Sequence, residues 1–534
     1  MLARKLKIVL KKMKLLPGAR FLLVLVAVSF LYNFHDIIRY PPFSNHYWRQ
    51  ADGYSMALNY YHEGMNFCAP KIHHQGSVDG RGVGEFPGLY YLNALIWKIT
   101  TPNFITFRLL NLIITFLGLF FLFKTAFYVL KDFTWACAIA LFVLSSPLYA
   151  FYANNFMINA AALGLIFIAW YLIIVFSAEK KSRYFCLSVF LMILSVLLRA
   201  TMIIGVLPLI LILFLELVGF LKSGIFHKKG LHLFMLLLPV ICLLAWVILA
   251  RYYNKTYVSR YFLTTIRPLW EADDIRQIWS GFYKNALHEL HFMPLLILVP
   301  LILVVMFITG KKQNRYGLIF TVIVALELSL YLVLWFNNLT EHEYYLLELF
   351  LIVPPLFVSF LWFLKSSKAT IFNSKKVKMA VMAVLIFCTY CCALKERIKY
   401  DYAHTWPGTH VIILKDEFDW RAYSIWDYFN RFKAYQTITP YIRSLGMNRD
   451  DLVVSIPDIS PNVSLSLMDQ KGFTSLYYND MPEGERIRLF ISSGAKYLFI
   501  NDPELYKNPE IAYFTTKKIG QYHNIGIFDL RNLK

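Results

Sequence analysis

Charge is what this sequence has least of. Only 16% of its 534 residues are Asp, Glu, Lys or Arg, while 58% are hydrophobic. That balance excludes a soluble globular chain of this size. Cysteine is also sparse. Of the seven, Cys137, Cys186, Cys242, Cys388, Cys391 and Cys392 fall in apolar runs and only Cys68 lies in a polar segment, so no disulfide framework is available. The Cys388, Cys391 and Cys392 cluster reads as ordinary packing. The first hydrophobic stretch, 21–38, follows a basic segment but lacks a small-residue cleavage site, which makes it a retained span. No internal repeat is visible, which speaks against a transporter built from inverted repeats. His46, His62, His73 and His74 in the first polar segment match no standard zinc spacing.

What the chain does have is long apolar runs. Eleven stretches are long enough to span a bilayer: 21–38, 105–123, 134–150, 157–177, 184–198, 202–219, 232–250, 294–309, 317–336, 345–364 and 378–394. Six short segments carry the excess positive charge: the first 20 residues, 124–132, 178–183, 220–230, 311–315 and 365–378. They hold 23 Lys and Arg against two acids, Asp132 and Glu179, and so account for the whole formal charge of +21. Charge confined to short loops beside spans points to lipid headgroups, not nucleic acid. Positive-inside bias makes these segments cytoplasmic. The alternation works only if 88–100 does not cross; at thirteen residues, about 20 Å as a helix, it suits a helix lying in the outer interface. The expected architecture is a polytopic α-helical membrane module, 1–395, with a long first extracytoplasmic loop, 39–104. An extracytoplasmic α/β domain follows at 396–534. There, DLVVSIPD reads as a strand and SPNVSLSLMDQKG as a helix capped by Ser460 and stopped by Gly472. RIRLFISSGAKYLFIND reads as helix, turn and strand, and KKIGQYHNIGIFDL as a hairpin.

The unusual polar residues fall on the non-cytoplasmic side. Asp52, in WRQADGYSMALNYY, reads either as a cap near a helix start or as a general base. Glu85, before Pro87 and the interfacial helix, reads as a cap, a substrate-orienting carboxylate or a metal ligand. Arg108 opens the second span, where a cation usually snorkels to headgroups. Arg199 sits in an apolar turn between two spans, where a buried guanidinium needs an anion or carbonyls, and its planar fork suits phosphate. His342, Tyr344 and Tyr345 read as interfacial belt residues or as neighbours of a phosphate or metal.

In order and topology, these residues resemble glycosyltransferase family 39, the GT-C membrane transferases that include protein O-mannosyltransferases and lipid A aminoarabinose transferases. The resemblance covers about 400 residues and rests on Asp52 at the start of the first loop, Glu85-Phe86-Pro87, Arg108, Arg199, and the His342–Tyr345 segment. Gly53, Phe86 and Asn159 depart from common family residues. The resemblance implies a polyprenyl-phosphate-sugar donor and an acceptor that is a glycolipid, polysaccharide or protein. It implies Asp52 and Glu85 as catalytic groups, with Arg108, Arg199, Tyr344 and Tyr345 toward the donor phosphate. A divalent metal ion between Glu85 and His342 is a further expectation, as is a bacterial inner membrane location. The alternative is a transporter or flippase for a lipid-linked precursor, for which Glu216 and Glu327 are the acidic residues nearest mid-span.

Overall fold

The computed structural model describes residues 16–222, 224–260, 265–310, 314–339, 342–476, 478 and 480–533. Residues 1–15 and 311–313, which hold part of the expected basic charge, lie outside the described residues. All eleven apolar stretches form helix. Among the described residues seven helices are long and apolar enough to cross a bilayer: Phe104–Leu130, Asn159–Glu179, Ala200–Leu217, Lys229–Thr256, Arg315–Leu334, Glu343–Ser367 and Lys375–Ile398. The chain is therefore a multi-pass integral membrane protein. The remaining four of the eleven expected stretches differ from these in length or straightness. Pro17–Leu31 and Ser182–Leu198 are shorter, and 134–150 and 294–309 belong to bent helix pairs, giving nine candidate crossings when each pair counts once.

The first bend has a local cause. Phe133–Leu144 and Pro147–Ala153 meet at 79° across Ser145-Ser146. Pro147 lacks an N–H and disfavours helical geometry at the residue before it. Ser146 Oγ accepts the Tyr149 N–H at 3.1 Å and so starts the second helix afresh. The result is a buried helix, Pro147–Ala153, that carries Tyr152 inward. Two long helices, Phe104–Leu130 and Asn159–Glu179, pack against each other through Gly118 and Gly164, where a Cβ on Gly118 has no room beside the Gly164 backbone.

The basic turns gather in two groups. Lys365 donates to the Leu130 carbonyl at 2.7 Å, Lys378 pairs with Asp132, and the Trp135 indole donates to the Phe372 carbonyl at 3.0 Å. Lys180 donates to the Ile225 carbonyl at 3.2 Å, and the Arg315 guanidinium lies 5.6 Å from the Phe220 ring centre. Gly88–Ile99 is a helix with one packed and one open face: Tyr90, Ala94 and Trp97 are buried, while Leu92, Leu95 and Ile99 are exposed.

Beyond Ile398 the long helix Lys415–Phe432 leads into a five-stranded sheet of order β2-β1-β3-β5-β4: β1 Val453–Ile456, β2 Gly472–Phe473, β3 Tyr497–Ile500, β4 Lys518–Tyr522 and β5 Ile525–Asp529. β1 runs parallel to β2 and β3; β5 is antiparallel to β3 and β4. Ser460 Oγ accepts the Val463 N–H at 3.0 Å at the start of the helix Val463–Leu467. Gly472 is not that helix's stop. It lies in β2, where a side chain would meet the Val453 backbone. Its N–H donates to the His73 carbonyl at 3.1 Å and its carbonyl accepts the Gln75 N–H at 2.8 Å. Residues 73–75 of the first loop thus extend the sheet beyond β2.

Candidate functional site

Asp52 lies in the helix Tyr47–His62, which begins five residues earlier with His46 at its N-cap position, so the cap reading fails. The Asp52 side chain is buried, with the residue 5% exposed. Asn462, from the C-terminal domain, donates to its Oδ1 at 2.8 Å, and Arg49 Nη1 lies 3.8 Å from its Oδ2. The same Arg49 donates to Glu85 Oε2 at 3.0 Å, and the Tyr90 hydroxyl donates to Glu85 Oε1. One guanidinium therefore bridges the two carboxylates. Gly53 has a role in this: a side chain there would strike the Tyr90 ring that holds Glu85.

The N-terminus of the same helix leads to a second group. His46 is in the left-handed conformation, φ 52°, and its Nε2 lies 2.6 Å from Glu343 Oε2. Glu343 also accepts from Asn45 at 2.9 Å and from the Tyr152 hydroxyl at 3.0 Å. The His46 ring centre is 5.4 Å from that of His342 and 5.0 Å from that of Tyr344. His342 stacks on Tyr344 at 5.2 Å. The Arg199 guanidinium lies 5.5 Å from the Tyr344 ring centre and 4.6 Å from that of Tyr345. Its Nε donates to Glu348 Oε1 at 2.8 Å, and its buried Nη2 has no hydrogen-bond partner among the described residues. Arg199, His342, Tyr344 and Tyr345 thus come together, joined through His46 to the helix of Asp52.

Arg108 is placed differently. It is 0% exposed, its Nε and Nη2 donate at 2.9 Å to the carbonyls of Tyr40 and Pro41, and its Nη1 donates to the Asn154 carbonyl. All three guanidinium nitrogens hold backbone together. The two residues expected to hold a metal have other neighbours. Glu85 engages Arg49 and Tyr90, while His342 faces His46, Tyr344 and Tyr345. Among the described residues no three His, Cys, Asp or Glu side chains gather as a metal would require.

Below Asp52 the first loop is clamped to the C-terminal domain. Ser55 Oγ and His73 Nδ1 are 2.7 Å apart, and His73 Nε2 lies 3.0 Å from Asp469 Oδ1. The residue types suggest a hydrolytic triad. Ser55 and His73 are wholly buried, however, and the Ser55 hydroxyl already accepts the His73 N–H at 2.9 Å. Arg449 completes the clamp, donating to Asp469 at 2.9 Å, Glu63 at 3.0 Å and Asn59 at 2.8 Å. Burial pushes the His73 pKa down to about 4, against the pull of Asp469. Burial raises the Glu63 carboxyl, but Lys471, Lys71 and Arg449 outweigh it and lower it to about 2.

Sequence reasoning missed Arg49, Glu343, Glu348 and Asn462. Arg49 carried a signal, standing one helical turn before Asp52. Glu348 was visible as an acid within the apolar run YYLLELFLI. Asn462 carried none.

No family model matches the sequence, and no curated protein matches it. Among solved structures the chain is similar to ArnT from Cupriavidus metallidurans bound to undecaprenyl phosphate: TM-score 0.58 and 10% identity over 95% of this chain and 97% of that one. The fold is of the GT-C type. ArnT in the apo state gives 0.57 at 9% identity over the same shares. A weaker likeness is to the Archaeoglobus fulgidus oligosaccharyltransferase, 0.44 at 12% identity over 89% of this chain and 68% of that one. The near-complete coverage of both ArnT chains means that the C-terminal sheet belongs to the likeness along with the GT-C membrane helices.

Proposed function

We propose that this protein is a membrane glycosyltransferase that moves a sugar from a polyprenyl-phosphate donor to an acceptor hydroxyl or amine at the extracytoplasmic face. Support comes from the GT-C fold, and from the undecaprenyl phosphate bound in the ArnT structure of similar fold. The observation that carries the reading is the junction at His46. It links the helix bearing the Asp52–Arg49–Glu85 group to the Arg199–Tyr344–Tyr345 group. A base and a cation with a free N–H face are the two groups that displacement at an anomeric carbon needs.

In this reading Asp52 accepts the acceptor's proton as its oxygen or nitrogen bonds to the anomeric carbon. The bond from that carbon to the phosphate oxygen breaks, and the lipid phosphate leaves against Arg199 Nη2. A single displacement inverts the centre. Arg49 and Glu85 fix the Asp52 carboxylate. Arg108 acts as a strut and no step is assigned to a metal. Residues 1–395 carry the transfer and 396–534 complete the site through Asn462. The basic turns face the cytoplasm, the inner membrane of a bacterium being the setting.

The test is direct. Purified protein is given several polyprenyl-phospho-sugars with glycolipid, polysaccharide and peptide acceptors, and released lipid phosphate and modified product are identified by mass spectrometry. Asp52→Asn keeps the Asn462 and Arg49 contacts in shape and lowers turnover by about 10²–10⁴. Unchanged turnover removes Asp52 as the base. Flux of lipid-linked precursor across vesicles without any acceptor would replace the transferase with the flippase.

A further inference from the structure

The helix Lys415–Phe432 has two working faces. Arg421, Ile425, Tyr428 and Phe432 are buried toward the membrane module, and the Tyr428 hydroxyl donates to the Pro42 carbonyl at 2.7 Å, just ahead of the Asp52 helix. The outer face carries Tyr423 and Trp426, 59% and 55% exposed, with ring centres 5.9 Å apart. They wall a crevice of about 890 Å³ between this helix and the sheet. Its floor is formed at the carboxyl ends of parallel strands β1 and β3, by Pro457 and Asn501, and at the β4–β5 turn by Asn524. Ligands of open α/β sheets bind at that end, where the strand order reverses. Here β1 lies between β2 and β3, so the reversal falls at this crevice.

Two polar atoms in the lining have no hydrogen-bond partner among the described residues. Asn501 is 5% exposed; its amide nitrogen donates to the Arg431 carbonyl at 2.7 Å and leaves Oδ1 unsatisfied. Gln436 Nε2 is buried and unpaired. An acceptor and a donor without partners in a groove cost free energy that a hydroxylated ligand would restore. The charges in the lining balance: Arg431 and Lys433 against Asp427 and Asp502. That balance disfavours an anionic ligand such as a nucleotide or phospholipid headgroup. A sugar ring offers the complementary surface, an apolar C–H face for an aromatic ring and a rim of hydroxyls for amides and carboxylates.

We propose that this crevice is a binding subsite for a neutral saccharide of a few rings. Calling that saccharide part of the acceptor rests on the proposed transferase; the binding itself does not. The test measures binding, with the full chain in detergent micelles or nanodiscs and neutral hexose and N-acetylhexosamine oligosaccharides of about two to four units as probes. The readouts are saturation-transfer NMR and titration calorimetry. Trp426→Ala and Tyr423→Ala each weaken binding at least tenfold, and Trp426→Phe recovers part of it. Trp420→Ala, on the same helix and outside the crevice, leaves it unchanged. The proposal is overturned if no probe binds wild type, or if Trp420→Ala and Trp426→Ala lose binding equally. It is also overturned if bromolipids in nanodiscs quench wild-type emission and Trp426→Phe abolishes that quenching, which would seat this face in the membrane. Bound saccharide with no transferase activity leaves the subsite standing and removes only its role as an acceptor site.

Discussion

Arg108 and Arg199 look alike in sequence, each a lone cation at the edge of an apolar run, and the structure puts them to opposite uses. Each guanidinium nitrogen of Arg108 is engaged: carbonyls of 40, 41 and 154 each accept from one of them, and its guanidinium lies 4.7 Å from the Phe156 ring centre. Arg199 has one carboxylate, two tyrosine rings and an Nη2 without a hydrogen-bond partner among the described residues. A buried arginine whose three nitrogens all bond to backbone is part of the scaffold. One that keeps a nitrogen without a protein partner, beside aromatic rings, has a donor to offer an anion.

The sharpest way to break this comparison is to exchange the expected consequences. Arg108→Leu leaves three buried carbonyls without donors and should cost on the order of 3 kcal/mol or more. Thermal unfolding in detergent should show it as a large drop in midpoint, with activity lost only in proportion to folded protein. At Arg199 a single substitution would strand Glu348, so the useful variant is Arg199→Gln with Glu348→Gln. That pair of changes should leave stability within about 1 kcal/mol yet reduce sugar transfer about 10²–10³-fold. If Arg108→Leu folds normally, or the double variant transfers sugar at the wild-type rate, the division of labour is wrong.

A smaller effect separates both arginines from the clamp at His73. There the sign follows from the direction of each shift. His73 stays neutral in the fold well below the usual 6.5, so the unfolded chain gains a proton first, and stability falls as pH drops from 6.5 toward 4. The loss is on the order of 3 kcal/mol at most. Glu63, held down to about 2, contributes stability that is lost only below 4.5. Hydrogen exchange at the Gln75 and Gly472 amides should therefore be slow at pH 7 and accelerate by pH 5, after correction for intrinsic rates, while helix amides around Gly118 stay protected. Equal acceleration everywhere would show global unfolding instead of an opening clamp.

How much of this could be read beforehand follows from the range of each interaction. Apolar runs, the helix at 88–99, the β4–β5 hairpin and the charge sorting are local patterns, and all were legible. The break at Ser145-Ser146-Pro147 was also written in the sequence, but the run around it is so uniformly apolar that hydropathy alone draws one straight span. Asp52, Glu85, Arg199, His342, Tyr344 and Tyr345 stood out because ionisable or polar groups are scarce at membrane edges. Their partners did not. Asn462 is one polar residue in a polar domain, and Gly472 resembles any helix stop until another segment of chain is laid against it.

The hydrogen bond from Asn462 to Asp52 joins residues 410 positions apart. At ribosomal speeds of about 5–20 residues per second, the helix bearing Asp52 would wait about 20–80 s for the domain that supplies its neighbour. Until then the nascent protein is already threaded through the bilayer but its Asp52 carboxylate lacks this neighbour. Premature termination anywhere before the sheet would therefore leave an inserted product whose first loop has lost its partner in the C-terminal domain.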